Sequence, residues 1–356
     1  MNFETSIDPE LLKDLSHFFL KVNENACINQ GWIPDNYLPL DRHGKEIPAL
    51  NKNTEYFHPV ITLDDRMRYI CENIVSLDDA DLSPGNKICN TIISHFYGAR
   101  GIHQTLTNIK DPLKAHVDFE RIAKGDKIYT DDMREIAHNA KANKVPIWGS
   151  TELHTSLQTA GRNFCRNKYD KPEQKIRTFD LAEWVASFIT DGTVDDMLKS
   201  NSLEETYNIL TKHRGIGDYY GYHCSTSNSV NPVLRFDNDD RFCKPGPGAR
   251  ATLDKLFPGI SKKEYGNAII WIRENQKKLF PELEFHENMQ NIFANGTQIF
   301  NENQDELKVY GTEVGCCQFG VYMHLVANPH LAARRTVARA EDDSVCDGAL
   351  LELVNF

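Results

Sequence analysis

SLEETYNILTKHRGIGDYYGYHCSTSN, residues 202 to 228, has the pattern of two helices joined by a tight turn. Ser202 with Glu205 three positions on is a capping-box start, and the helix it opens is expected to end at Lys212 or His213. Arg214-Gly215-Ile216-Gly217 follows, then a second helical run containing Tyr219 and Tyr222. Two glycines around one aliphatic residue suit such a turn, because glycine relieves the steric limit on backbone dihedrals and Ile216 can plug between the helices. Unpaired amides remain at the start of the second helix. With the helix dipole behind them, they can hold a DNA phosphate. The alternative is an ordinary helix end followed by another helix.

Some twenty residues on comes FDNDDRFCKPGPGARATLDKLFPG, residues 236 to 259. Asp237, Asp239 and Asp240 form a carboxylate cluster, with a solvated loop as the plainer reading. Gly246, Pro247 and Gly248 then make a rigid bend opening the helix that contains Leu253, Leu256 and Phe257. Lys244 and Arg250 flank that helix start, so the segment is a candidate phosphate or pyrophosphate cradle. A structural turn is the competing reading. Hairpin, helix and acidic segment stand in the order found in the helix-hairpin-helix DNA glycosylase superfamily.

Around this centre, apolar residues recur at spacings of three and four, as in Leu11, Leu12, Leu15, Phe18 and Phe19. Helices are expected at 63 to 76, 84 to 98, 111 to 124, 130 to 143, 152 to 168, 178 to 190, 193 to 213, 217 to 227, 248 to 257, 261 to 280 and 312 to 327. Strand-like alternation is nearly absent. The fold expected is all-α, of the helix-hairpin-helix glycosylase-like kind with two helical lobes. Residues 1–80 form an N-terminal helix and an irregular arm, including the Pro- and Asn-rich Gly31 to Pro59. Residues 81–330 form the main domain, and 331–356 a C-terminal tail.

The net charge of −11 argues against indiscriminate binding to nucleic acid, so any DNA contact must be local. Nine cysteines without a CxxC pair argue against a disulfide framework or a zinc site. The start MNFETSIDPELLKDL lacks the basic and apolar regions of a signal peptide, and no stretch is apolar enough to cross a bilayer. A cytoplasmic protein without membrane contact is expected.

GIGDYYGY, then D-x-x-F-x-x-P-G-P-G-A across residues 239 to 249, then EVGCCQFGVY from Glu313 to Tyr322, resemble the α-glutamyl/putrescinyl thymine pyrophosphorylases. ISHFYGARGIHQTL and VPIWGSTELHTS upstream extend the resemblance over roughly residues 85 to 325. That family comprises bacteriophage amino acid or polyamine:DNA transferases, related to helix-hairpin-helix glycosylases. The resemblance implies double-stranded DNA carrying pyrophosphorylated 5-hydroxymethyluracil as substrate, a free amino acid or polyamine as co-substrate, and the cytoplasm of an infected bacterium as the place of action.

On that reading an amine displaces the pyrophosphate, and three roles follow. A carboxylate must act as general base or anchor for the amine, for which Asp239 and Asp240 come first and Asp237 and Glu313 next. Arg100, Lys244, Gly246, Gly248 and Arg250 would stabilise the departing pyrophosphate, with Mg2+ on it as an optional companion. Tyr219 or Tyr222 would stack on the flipped base. His103, Arg162, Arg166 and Gln318 are the candidates for contacting the amine substrate; the two arginines equally suit DNA phosphates or a solvated face. His103, His154 and His223 could instead be structural. Two alternatives stay open: a glycosylase for a modified base, and a DNA-binding module without enzymatic activity. Where glycosylases place an aspartate at the end of the second hairpin helix, this chain has Ser225, Thr226, Ser227 and Asn228.

Overall fold

A computed structural model describes residues 1–29, 31–34, 40–46, 67, 70–96, 116–142, 177–234, 241–286 and 306–327. Among these the protein is all-α without a β-strand; Leu40 and Glu46 make one isolated antiparallel bridge. Among the described residues no disulfide joins two cysteines, and no described helix is long and apolar enough to cross a membrane. The chain divides into two compact units. One comprises Met1–Asp64, Asp240–Asn295 and Phe300–Phe356, the other Asp65–Asp239 with Gly296–Ile299.

In the first unit, α1 (Phe3–Ser6) and α2 (Pro9–Asn29) precede α10 (Pro247–Leu256), α11 (Tyr265–Glu274), α12 (Gln276–Leu279) and α13 (Val309–Ala327). Asp8 starts α2 by accepting the amides of Glu10 and Leu11 at 3.0 and 2.9 Å. The spacing of Leu15, Phe18, Phe19 and Val22 puts all four on one buried face. There Phe18 meets Phe319 and Tyr322 of α13, with ring centroids 5.6 and 5.2 Å apart. α13 is apolar on every side, as a helix packed against α2, α10 and α11 must be. A Cβ on Gly315 would run into the Phe19 ring, so that glycine lets α13 approach α2.

The second unit holds α3 (Pro84–Phe96), α4 (Phe119–Ala123), α5 (Lys127–Ala142), α6 (Arg177–Thr190), α7 (Thr193–Lys199), α8 (Leu203–Leu210) and α9 (Asp218–Asn228). Ile88, Ile92, Phe119, Leu181, Val185, Phe188, Met197 and Leu210 are buried in its core. Burial extends to polar side chains, which therefore bond internally. Asn90 donates to the carbonyls of Asn86 and Val117 at 2.8 and 2.7 Å and accepts the Val117 amide at 2.8 Å, pinning the entry to α4 onto α3.

Three expected helices are shorter or broken. The run 193 to 213 divides at Ser200–Ser202, because Ser202 accepts the Glu205 amide at 3.1 Å and opens a new helix. The capping box is completed one residue early: Glu205 reaches the Asn201 amide at 2.7 Å. The run 261 to 280 divides at Asn275, and in the described part of 111 to 124, from residue 116 on, the helix is α4, opened by Asp118 accepting the Arg121 amide. The expected helix 152 to 168 lies outside the described residues.

His213, just before the hairpin turn, lies against the Phe188 ring at 4.1 Å. Its Nε2 stands 2.8 Å from Thr193 Oγ1, whose hydroxyl donates to Asp191 at 2.6 Å. Thr193 therefore accepts, and Nε2 carries the proton of a neutral imidazole. Burial holds His213 below its ordinary 6.5, against the opposing pull of Asp191. As pH falls below about 6.5, the unfolded histidine takes up a proton that the folded one resists, so stability declines on acidification. On going from about pH 7 to about pH 5.5, the thermal midpoint is expected to shift less favourably in the parent than in His213→Gln, each referred to its own value at about pH 7. Equal shifts in the two proteins would remove His213 from the account.

Candidate functional site

α8 and α9 form the hairpin with Arg214–Gly217 between them. Gly215 takes φ +112°, a conformation that residues with a Cβ rarely adopt, and this allows the sharp reversal. Ile216 is 3% exposed and plugs the core, while Lys212, Arg214, Gly217 and Asp218 are exposed. Gly217 is the N-cap of α9 and has no side chain to satisfy the helix's first amides. Positive side chains and a helix N-terminus thus share one edge. Asp218 is the opposing charge there, and it accepts the Tyr207 hydroxyl at 2.7 Å.

The two tyrosines named as stacking candidates differ. Tyr219 is half-buried beside His223, centroids 4.2 Å apart, whereas Tyr222 is 1% exposed. Tyr222 offers no open ring face to a base, which corrects the expectation for it. Burial runs from Tyr220 to Asn228, including polar residues from His223 onward. Ser225, Thr226 and Asn228 each donate to the carbonyl four residues back, at 2.7 to 2.9 Å. Ser227 donates to Met67 Sδ at 3.1 Å and so receives the Nε2–H of buried His95 on α3.

In the other unit the Gly-Pro-Gly bend opens α10, with Pro247 at its first position and Gly246 as N-cap. The Gly246 amide donates to Glu313 Oε1 at 2.8 Å. Glu313, on α13, is 1% exposed, and burial pushes its carboxyl up to about 7 against the lowering effects of the Gly246 amide and the Arg250 charge. The anion position at this helix start is thus taken by the protein's own carboxyl. That corrects the expectation of a Gly246 amide directed at external phosphate.

Arg250 Nε donates to the Pro245 carbonyl at 2.7 Å, and Thr252 donates to the Cys316 carbonyl at 2.7 Å. A Cβ on Gly248 would stand 2.5 Å from Cys317 Sγ, and one on Gly266 would stand 2.6 Å from the Cys243 carbonyl. These glycines hold residues 243 to 248 close to α11 and α13, and that close approach was not legible in the GPG motif. Burial pushes both neighbouring thiols up, Cys317 to about 12, so neither is a reactive thiolate at neutral pH. Lys244, partly exposed, lies 5.6 Å over the Phe242 ring, and Gln318 is partly buried on α13.

Asp237, Asp239, Asp240, Arg100, His103, His154, Arg162 and Arg166 lie outside the described residues. Among the described residues, no group of three or more His, Cys, Asp or Glu side chains could hold a metal ion.

A sequence model of the family described as 5-hmdU DNA kinase, helical domain, matches residues 62–327. No curated protein and no solved structure matches the chain. The family match overturns the assignment to the thymine pyrophosphorylases, although the two spans nearly coincide. A kinase adds a phosphoryl group to the modified base; the expected enzyme would have displaced pyrophosphate from it with an amine. The amino acid or polyamine:DNA transferase activity is therefore withdrawn, and His103, Arg162, Arg166 and Gln318 lose the amine for which they were candidates.

Proposed function

Because the chain belongs to the 5-hmdU DNA kinase helical-domain family, we propose that it docks DNA containing 5-hydroxymethyluracil and serves the phosphorylation of that base's hydroxymethyl oxygen. The observation that carries the docking is the hairpin: Lys212, Arg214 and the start of α9 at Gly217 share one exposed edge. A helix-hairpin-helix glycosylase-like arrangement with two helical lobes, in which residues 81–330 act as the enzymatic span, belongs to the same proposal. Local docking of this kind also suits a chain whose net charge is −11.

In the reaction, the hydroxymethyl oxygen forms a bond to the terminal phosphorus of a nucleoside triphosphate. The bond from that phosphorus to the diphosphate breaks, and the hydroxyl proton passes to a base and on to water. Glu313 is the proposed base, because its carboxyl titrates near neutrality, where proton transfer in both directions is easy. Lys244 and Arg250 are the proposed partners of the donor's phosphate charge. A nucleotide donor implies Mg2+. The described residues offer no metal-holding group and the three aspartates lie outside them, so no step is routed through the ion.

The test is incubation of the protein with 5-hydroxymethyluracil DNA and each nucleoside triphosphate in turn, followed by mass spectrometry of the digested nucleosides. The modified nucleoside is expected to gain one phosphoryl group. An unchanged nucleoside with every donor would sink the proposal for this chain.

A further inference from the structure

The turn between α10 and α11 repeats the geometry of the hairpin. In the hairpin, the Ile216 amide donates to the His213 carbonyl at 3.0 Å across Gly215, whose φ is +112°. Between α10 and α11, the Ile260 amide donates to the Phe257 carbonyl at 3.0 Å across Gly259, whose φ is +84°. Each turn buries the isoleucine that closes it, Ile216 to 3% and Ile260 to 8% exposure. The second turn is firmly held. Phe257 packs against Phe3 and Trp271, with ring centroids 5.3 and 5.9 Å away, and the Tyr265 hydroxyl of α11 donates to Asp254 of α10 at 2.6 Å. What differs is the charge on display. Counted from each turn's glycine, Lys262 and Lys263 stand where the hairpin has Asp218 and Tyr219.

Lys255, in the last turn of α10, joins them, and all three lysines are exposed. Among the described residues, no ion pair or hydrogen bond engages their side chains, whereas Lys13, Lys277 and Lys278 of the same unit pair with Glu10, Glu306 and Glu4. The neighbouring acids are engaged elsewhere, Asp254 by Tyr265, and Glu264 by the Ser261 hydroxyl at 2.9 Å and the Met1 amino group. Residues 241–286 hold nine Lys and Arg against five Asp and Glu, in a chain whose net charge is −11. Such a local positive excess on a well-held, exposed turn suits a phosphate backbone, because docking depends on the field at the contact face more than on total charge. We propose that the α10–α11 turn is a second DNA-backbone contact, carried by the other unit from the hairpin, with Lys255, Lys262 and Lys263 set against phosphates. Contacts of this kind position a strand without reading its bases, so modified and unmodified DNA are held alike. The proposal rests on the reading of DNA as the substrate.

The salt dependence of duplex binding tests it without requiring turnover. Lys255→Gln, Lys262→Gln and Lys263→Gln together are expected to flatten the slope of log affinity against log salt by about one per lysine, on 5-hydroxymethyluracil and thymine duplexes alike. The thermal midpoint should hardly move, because the three side chains are exposed and unbonded. Lys13→Gln, Lys277→Gln and Lys278→Gln together remove the same charge from the same unit, and should leave the slope nearly unchanged because each of those lysines already serves a carboxylate. An unchanged slope in the first triple variant, or equal flattening in both, would overturn the proposal. Lys212→Gln with Arg214→Gln separates the turn from the hairpin. Flattening by that variant alone removes the second contact and leaves the hairpin docking standing; flattening by the α10–α11 variant alone does the reverse. A parent protein that binds neither duplex would overturn both.

Discussion

Glu313→Gln is expected to be more stable than the parent protein at about pH 8 and to lose phosphorylation by roughly a hundredfold or more. The amide keeps an oxygen to accept the Gly246 N–H, so the bend opening α10 should survive. What the substitution removes is ionisation. In the parent, burial raises Glu313 from the ordinary 4.5 to about 7. The stabilisation associated with the neutral acid is fully present below about pH 4.5 and is lost as pH rises through about 7, because the unfolded carboxyl has already released its proton. That gap corresponds to roughly 3 kcal/mol. Denaturant melts at about pH 5 and about pH 8 should therefore show a gain on acidification in the parent that the variant lacks. A stabilised variant with full activity would reduce Glu313 to a lock on the Gly246 bend.

The sequence made local features legible and left the long-range ones hidden. Ser202, the glycines at 215 and 217 and Pro247 act on backbone within a few residues of themselves, so the hairpin and the start of α10 could be read directly. Glu313 and Gly246 are 67 residues apart, and no local pattern announces that one carboxyl will satisfy the other's amide. Periodicity also fails on α9, where every position from Tyr220 to Asn228 is buried and no polar face remains to mark an outside.

The error in function has a related cause. GIGDYYGY and GPGA carried the resemblance, and glycine-rich turns constrain backbone conformation and close packing. They do not distinguish adding a phosphoryl group to a base from displacing pyrophosphate on it. The candidate aspartates, which bear directly on chemistry, lie outside the described residues. Among the described residues, the strongest chemical signal is the raised carboxyl of Glu313 on α13.

The third glycine of GIGDYYGY supplies the second large effect. A Cβ on Gly221 would collide with the Thr211 methyl and stand 3.2 Å from two carbons of the Tyr207 ring, where α8 and α9 meet. Gly221→Ala is therefore expected to cost about 1–3 kcal/mol, the usual penalty of overpacking, and to weaken DNA binding by splaying the hairpin. Gly217→Ala should change stability by only a few tenths of a kcal/mol, because its Cβ would meet nothing within 4 Å. The decisive comparison is Gly221→Ala combined with Thr211→Ser. Serine keeps the hydroxyl that bonds the Tyr207 carbonyl at 2.8 Å and deletes the obstructing methyl. Residues in direct contact couple, so the double variant should recover much of the lost stability and DNA affinity, which additive effects would not allow. Recovery would assign the motif's glycines different work, with Gly215 making the turn and Gly221 admitting the neighbouring helix. If Thr211→Ser restores nothing, the damage lies in the backbone of α9 itself, and the close contact between the helices is not what requires glycine there.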